Sequence, residues 1–399
     1  QEIEKALFLL EAVGIRKYDM NIYENISTAA EYLNDFPKAI KYKKKLIKLL
    51  EKGDDAEKLA GAVSSLGVLY SKVEDYSTSI KYLTRAIKYY KENEILDELA
   101  ESYTELGKIS EQSSEYLRAL NAFTSSTKLQ EEELGETVSQ VDELRRIGRI
   151  YYKRLNQNKS AEDYLNKALF FLRARLKEIP VLIKEEEDSS VKELYEEEIA
   201  KLKKQKIQTL LDLGLVRERA GDFNTAMEYY EKARLSAVDI DDKDALTLVS
   251  LFKANSYWFQ ADYQDAFNSA RTAMRIAEKR KNEKHQVWAY NTLGLISWTL
   301  NDLVRAKDNL RKSLDLAKKT NSRLDTASAY NNLGLIFRQE KKYKESIEYF
   351  KKALVIDEKI KTKWGRGYDH RNIGMSYIRL RDFKEAMAHV QMAVNLSGE

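Results

Sequence analysis

The stretch NNLGLIFRQEKKYKESIEYFKKALVI, Asn331–Ile356, sets the rhythm of the whole chain. Gly334 is followed nine residues on by bulky Tyr343, twelve on by small Ser346 and nineteen on by small Ala353. The polar phrase EKKY lies between the two halves and suits a turn. Small residues at fixed phase let two helices approach closely, and bulky ones fill the space beside them. The stretch is therefore predicted to be helix, short turn, helix.

The pattern recurs in both directions. Forty residues on is Gly374; forty residues back are Gly294, then Ala254 in the same slot, then Gly214. Nearer the N-terminus the anchor appears as Gly67, Gly107 and Gly148, with Ser27 forty residues before Gly67. The bulky slot holds Phe36, Tyr76, Tyr116, Phe223, Tyr263, Leu303, Tyr343 and Phe383. The small slot three residues later holds Ala39, Ser79, Ala119, Ala226, Ala266, Ala306, Ser346 and Ala386. The phrases AGDF, LNDL and LRDF mark further turns. One helix pair cannot bury its apolar face alone, so neighbouring pairs must stack. The expected fold is an all-α solenoid of about nine helix pairs.

Composition agrees. The chain has 399 residues, with 43% apolar and 33% charged residues, only two Pro and no Cys. Disulfides, thiolate metal sites and Cys nucleophiles are thereby excluded. The 68 Lys+Arg nearly cancel the 64 Asp+Glu, and a net charge of +4 does not suggest a general nucleic-acid binder. No apolar run approaches the roughly 18 residues of a membrane span.

The quoted stretch resembles the tetratricopeptide repeat, since anchor Gly, aromatic and both small residues fall in place. The 40-residue period with NNLG is similar to the longer-helix variant of kinesin light chains and Pins-like polarity scaffolds. Bacterial signalling proteins use it too, including arrays fused to CHAT proteases or sensor kinases. The resemblance implies a right-handed superhelix whose first helices line a concave groove. It also implies binding of peptides or helices, with no catalysis within the array and no cofactor. The family's helix-ending Pro is absent from these units.

The phase also addresses the ends. A small residue is expected at position 6, and Ala6 is there, so EIEKALFLLEAV reads as a leading second helix. At the other end the chain stops at Glu399, directly after a second helix. These features suggest a piece of a longer protein.

Gly214 follows Gly148 by 66 residues rather than 40. The extra sequence is helical in composition, so a hairpin of two helices, each extended by about three turns, should project roughly 15–20 Å. Pro180 should kink or break its rising arm, and Ser190 and Glu193 have capping-box spacing. The expected organisation is N-terminal units over 1–171, the hairpin over 172–206 and C-terminal units over 207–399, in one continuous solenoid. The hairpin is either solvated or a docking spur with an acidic tip, Glu185–Asp188.

Groove slots are implied at six, three and two residues before the anchor and at one, four and five after it. In the C-terminal half they hold Trp258, Phe259, Trp288, Asn291 and Trp298. They continue with Asn331, Asn332, Arg338, Tyr368, Arg371, Asn372 and Arg379. Trp is favoured at binding hot spots, Asn can bond a peptide backbone, and Arg suits an acidic segment. Alternatively the Trp residues pack as core and the Asn residues bond within the array. Arg145, Arg146, Arg149 and Lys153 form a second, basic patch, either a carboxylate or phosphate receptor or a face balanced by Asp142 and Glu143.

The three His residues are scattered in sequence, and no metal-binding or catalytic motif appears. The expected function is non-catalytic recognition of a protein or peptide, as the scaffold or regulatory part of a larger protein. The alternative is an array that senses for, or restrains, a fused enzyme, with an intramolecular partner domain. Nucleic acid is a less favoured ligand, and the cytoplasm is the expected compartment.

Overall fold

The structure is a computed structural model that describes residues 19–398 apart from 54, 134, 136–138 and 361. The proposed leading helix around Ala6 lies outside the described residues. Eighteen helices are described, with no strand among the described residues. Close packing divides the chain after Glu186 into two units.

The first unit contains α1 (Asp19–Tyr32), α2 (Phe36–Leu50), α3 (Ala56–Lys72) and α4 (Tyr76–Glu92). It continues with α5 (Leu96–Gln112), α6 (Tyr116–Glu132), α7 (Val141–Arg154) and α8 (Asn158–Glu185). The second unit opens with α9 (Ser189–Arg219), α10 (Phe223–Asp239), α11 (Lys243–Phe259), α12 (Tyr263–Lys279) and α13 (Glu283–Thr299). It closes with α14 (Leu303–Lys319), α15 (Arg323–Gln339), α16 (Tyr343–Lys359), α17 (Lys363–Leu380) and α18 (Phe383–Gly398). Within each unit, every helix packs on its hairpin partner and on the next helix along. In the second unit each first helix also touches the following first helix, so α9, α11, α13, α15 and α17 form one layer.

The anchor glycines mark the closest approach within a pair. A Cβ on Gly334 would lie 2.6 Å from a ring carbon of Phe350, and one on Gly107 would lie 2.5 Å from the Phe123 ring. Ala39, Ser79, Ala119, Ala226, Ala266, Ala306 and Ser346 are fully buried beside them. Ser79 donates to the Gly67 carbonyl at 2.6 Å, so even the polar small residue is satisfied inside the contact.

Several turns within pairs share one plan. A residue in the left-handed region (Asn34, Glu74, Gly221, Ala261, Asn301) ends the first helix. The next residue, Asp35, Asp75, Asp222, Asp262 or Asp302, caps the second helix by accepting a backbone N–H three residues on. Each cap is worth about 0.5–2 kcal/mol.

Most helices have 17 residues, whereas α8 has 28 and α9 has 31. These two long helices flank residues 186–188. Pro180 does not break α8, although its missing N–H leaves the Leu176 carbonyl without a helical donor. The start of α9 differs from the capping-box expectation. Asp188 is the N-cap, accepting from the Ser190 backbone at 2.8 Å and its hydroxyl at 2.6 Å, which holds Asp188 below the usual carboxylate range.

Candidate functional site

The first-helix layer of the second unit carries the aromatic and amide slots. Trp258 and Trp288 are half-buried against a core that includes Leu251, Met274 and Ile296. Each uses its indole N–H to reach the next first helix. Trp258 donates to the Thr299 hydroxyl at 2.9 Å, and Trp288 donates to Asp325 at 3.1 Å. Trp298 is half-buried and packs on two neighbouring cores, one with Leu310 and Leu333, the other with Phe350 and Ile373. Its N–H is buried with no acceptor among the described residues. Phe259 is exposed, edge-on to Trp258 with ring centroids 5.1 Å apart.

The asparagines form a ladder between helices. Asn332 donates to Asn291 at 2.8 Å, across two half-buried side chains. Asn372 donates to Asn331 at 3.1 Å, and Asn331 donates to Asp369. Arg338 donates to the Asn372 oxygen at 3.3 Å and lies over the Phe350 ring. Asn331 and Asn372 are buried, so their amides serve the array rather than a ligand. Burial pushes the Asp369 carboxyl up to about 8, with the neighbouring Asp357 adding to the rise.

Tyr368, Arg371 and Arg379 lie toward the C-terminus. Arg371 and Arg379 are exposed. Arg371 sits over the half-buried Tyr368 ring at 4.5 Å, and Trp364 stacks on the same ring at 5.3 Å. Trp364, 80% exposed, was missed by the slot reading. Its spacing of four from Tyr368 and seven from Arg371 was the available signal. His370 and His389, distant in sequence, are brought together with their Nδ1 atoms 2.9 Å apart. Burial lowers both imidazoles.

The basic patch of the first unit is largely engaged. Arg145 is buried beside Asp142 at 3.6 Å. Arg146 donates to Glu111 at 2.6 Å and covers the Phe123 ring. Arg149 is half-buried, and Lys153 is exposed with its ammonium over Tyr152. The neighbouring groove slots around Gly107 are acidic instead: Glu101, Thr104 and Glu105, followed by Lys108. They line a cleft with Asp97, Gln130 and Glu143. They stand six, three and two residues before Gly107 and one after it, the same offsets as the slots of the second unit. Burial raises the Glu143 carboxyl above its usual range. Among the described residues no cluster of three or more His, Cys, Asp or Glu could hold a metal ion, and no helix is long and apolar enough to cross a membrane.

Two models described as tetratricopeptide repeat match this chain, one over residues 244–319 and 325–398, the other over 60–93 and 207–233. No curated protein matches. Among solved structures, aspartyl phosphate phosphatase F from Bacillus subtilis is 13% identical, with a TM-score of 0.58 over 95% of this chain and 94% of its own. The apo quorum sensor NprR from B. thuringiensis is 14% identical, with a TM-score of 0.57 over 96% and 98%. A STAND signal-transduction ATPase with a tetratricopeptide repeat sensor, from Pyrococcus horikoshii, is 12% identical, with a TM-score of 0.51 over 96% of this chain and 53% of its own. At these identities the likeness is one of fold.

Proposed function

Since the chain belongs to the tetratricopeptide repeat family, we propose that its second unit binds an acidic protein segment along the first-helix groove, without catalysis. The observation that carries this reading is the fixed placement of the groove side chains. Trp258, Trp288 and the Asn291–Asn332 pair are held by bonds from one first helix to the next. Phe259, Arg371 and Arg379 stand exposed on the same layer. Side chains ordered before binding lose little entropy on contact, which favours affinity. Trp258, Trp288 and Trp298 contribute their half-exposed edges, Tyr368 its ring, and Arg338, Asn331 and Asn372 brace the floor.

The test is an array of immobilised nonapeptides, acidic-aromatic against neutral scrambles, probed with the full chain. Retention of the acidic set by the wild type, and its loss in the Phe259→Ala/Arg371→Ala/Arg379→Ala variant, is expected. Equal retention by both proteins would refute the assignment. A second reading, an array that senses for or restrains an enzyme on the same polypeptide, is favoured by the fold likeness to the STAND ATPase with its tetratricopeptide repeat sensor. An enzyme domain encoded in the same reading frame, bound by this chain in isolation, would decide for it.

A further inference from the structure

We infer that the groove of the first unit holds a separate site for a basic side chain, an arginine of a docked protein segment. The cleft lies along α5, with α6 and α7 contributing one residue each, and measures about 320 Å³. From α5, Asp97, Glu101 and Glu105 stand one turn apart on a single face. Lys108 is the one cation in the lining, and Glu105 accepts from it at 2.6 Å. Carboxylates therefore outnumber cations in the cleft.

An acidic stripe by itself would be a solvated helix face. The buried end of the cleft is what distinguishes this one. Glu143 is 6% exposed and Gln130 is 8% exposed. Thr104 donates to Glu143 Oε1 at 3.0 Å, but Glu143 Oε2 has no donor among the described residues, and neither has Gln130 Oε1. Buried acceptors without donors are costly, and both of these line the same cleft. A ligand that relieves them must bring N–H donors and positive charge together. Guanidinium does so with five donors in a planar fork, against three on an ammonium. Within the lining, Glu101, Thr104, Glu105 and Lys108 occupy first-helix slots, the face on which the repeat resemblance places an extended segment. That placement favours a side chain of a protein over a free cation. The site contains no residue of the second unit, so it stands or falls apart from the groove proposed above.

The probe is a fluorescein-labelled nonapeptide with one central arginine, titrated into the full chain and followed by anisotropy. Its citrulline counterpart keeps the shape and loses the charge, and should bind about tenfold more weakly or worse. Glu143→Gln and Glu101→Gln should each weaken the arginine peptide about fivefold. Gln130→Met is the most discriminating variant, because Gln130 is neutral and cannot act through long-range charge. It should weaken binding about threefold with the thermal midpoint unchanged. Glu101 is exposed, so its variant remains informative if Gln130→Met disturbs folding. Wild-type affinity in both Gln130→Met and Glu101→Gln would overturn the site. So would an equal loss in Glu196→Gln/Glu197→Gln on α9, which would mark unspecific charge attraction. Displacement of the peptide by equimolar spermidine would assign the cleft to a free polyamine and overturn the protein-segment assignment.

Discussion

The first-helix surfaces of the two units share a frame and differ in chemistry. Around Gly107 the slots hold Glu101, Thr104 and Glu105; around Gly294, Gly334 and Gly374 they hold Trp, Asn and Arg. Underneath, both units use the same closest approach, a glycine against a buried ring: Phe123 in the first, Phe350 in the second. The frame residues pack within a pair, whereas the slot residues range from buried, such as Thr104 and Asn331, to exposed, such as Glu101 and Arg371. Packing therefore constrains the frame throughout and the slots only in part, so one backbone can present an acidic cleft and an aromatic, cationic groove. All four Trp residues, Trp258, Trp288, Trp298 and Trp364, lie in the second unit. Trp fluorescence thus reports the second unit, while circular dichroism reports both, and the two can be followed separately.

The largest effect should come from Trp298→Ala. Trp298 joins two successive cores, and truncating a large aromatic typically costs about 3–5 kcal/mol. Urea unfolding followed by Trp fluorescence should shift strongly. Phe259→Ala, at an exposed edge, should stay within about 0.5 kcal/mol of wild type. If the two variants lose the same stability, the division of this groove into braced and exposed aromatics is wrong.

The buried Asp369 gives the next effect. Burial raises this carboxyl to about 8, so folding takes up a proton. The stability it contributes is complete below the unfolded value near 3.9 and is lost as pH rises through about 8. Asp369→Asn mimics the protonated form. The fluorescence midpoint of the wild type should fall between pH 5 and pH 9, by roughly 2 kcal/mol in stability, while that of the variant stays nearly flat. Parallel pH profiles would show that Asp369 ionises freely.

The shared frame is tested by the anchors. Gly107→Ala and Gly334→Ala each force a methyl against a ring, at about 1–3 kcal/mol. The costs should be similar despite the different grooves. The Gly107 variant should move the dichroism transition with little change in Trp fluorescence, whereas the Gly334 variant should move both. A cost confined to one anchor would mean that the two frames are not equivalent.

Period and helix pairing were legible because each is a repeated local demand: small beside glycine, bulky beside small, turn residue before helix. The second use of a slot residue was not legible. Asn331 and Asn332 are adjacent and look alike in sequence, yet Asn331 is buried under Asp369 while Asn332 is half-buried and bonds Asn291. A one-residue step turns a helix face by about 100°, enough to separate floor from rim. Arg145 and Arg146 show the same loss. Their charge was visible, but the partners Asp142 and Glu111 include one 35 residues away on another helix. The meeting of His370 with His389, and the shared cleft of Gln130 and Glu143, likewise depend on packing between helices.

The smallest effect on stability, and the sharpest on recognition, should come from the exposed cations. Arg371 and Arg379 are exposed, so Arg371→Glu and Arg379→Glu should each leave the stability within about 1 kcal/mol of wild type. Arg371 does stack on Tyr368, and that contact adds no more than about 1 kcal/mol at an exposed site. Association with an acidic peptide should nevertheless slow, and its dependence on salt should flatten, because these charges act on the encounter at a distance. The arginine peptide proposed for the first unit provides the control. Its binding to the same variants should be unchanged, while Glu101→Gln should weaken it and spare the acidic peptide. If either set of variants affects both peptides equally, the two surfaces do not discriminate by charge, and the contrast between the units is one of composition alone.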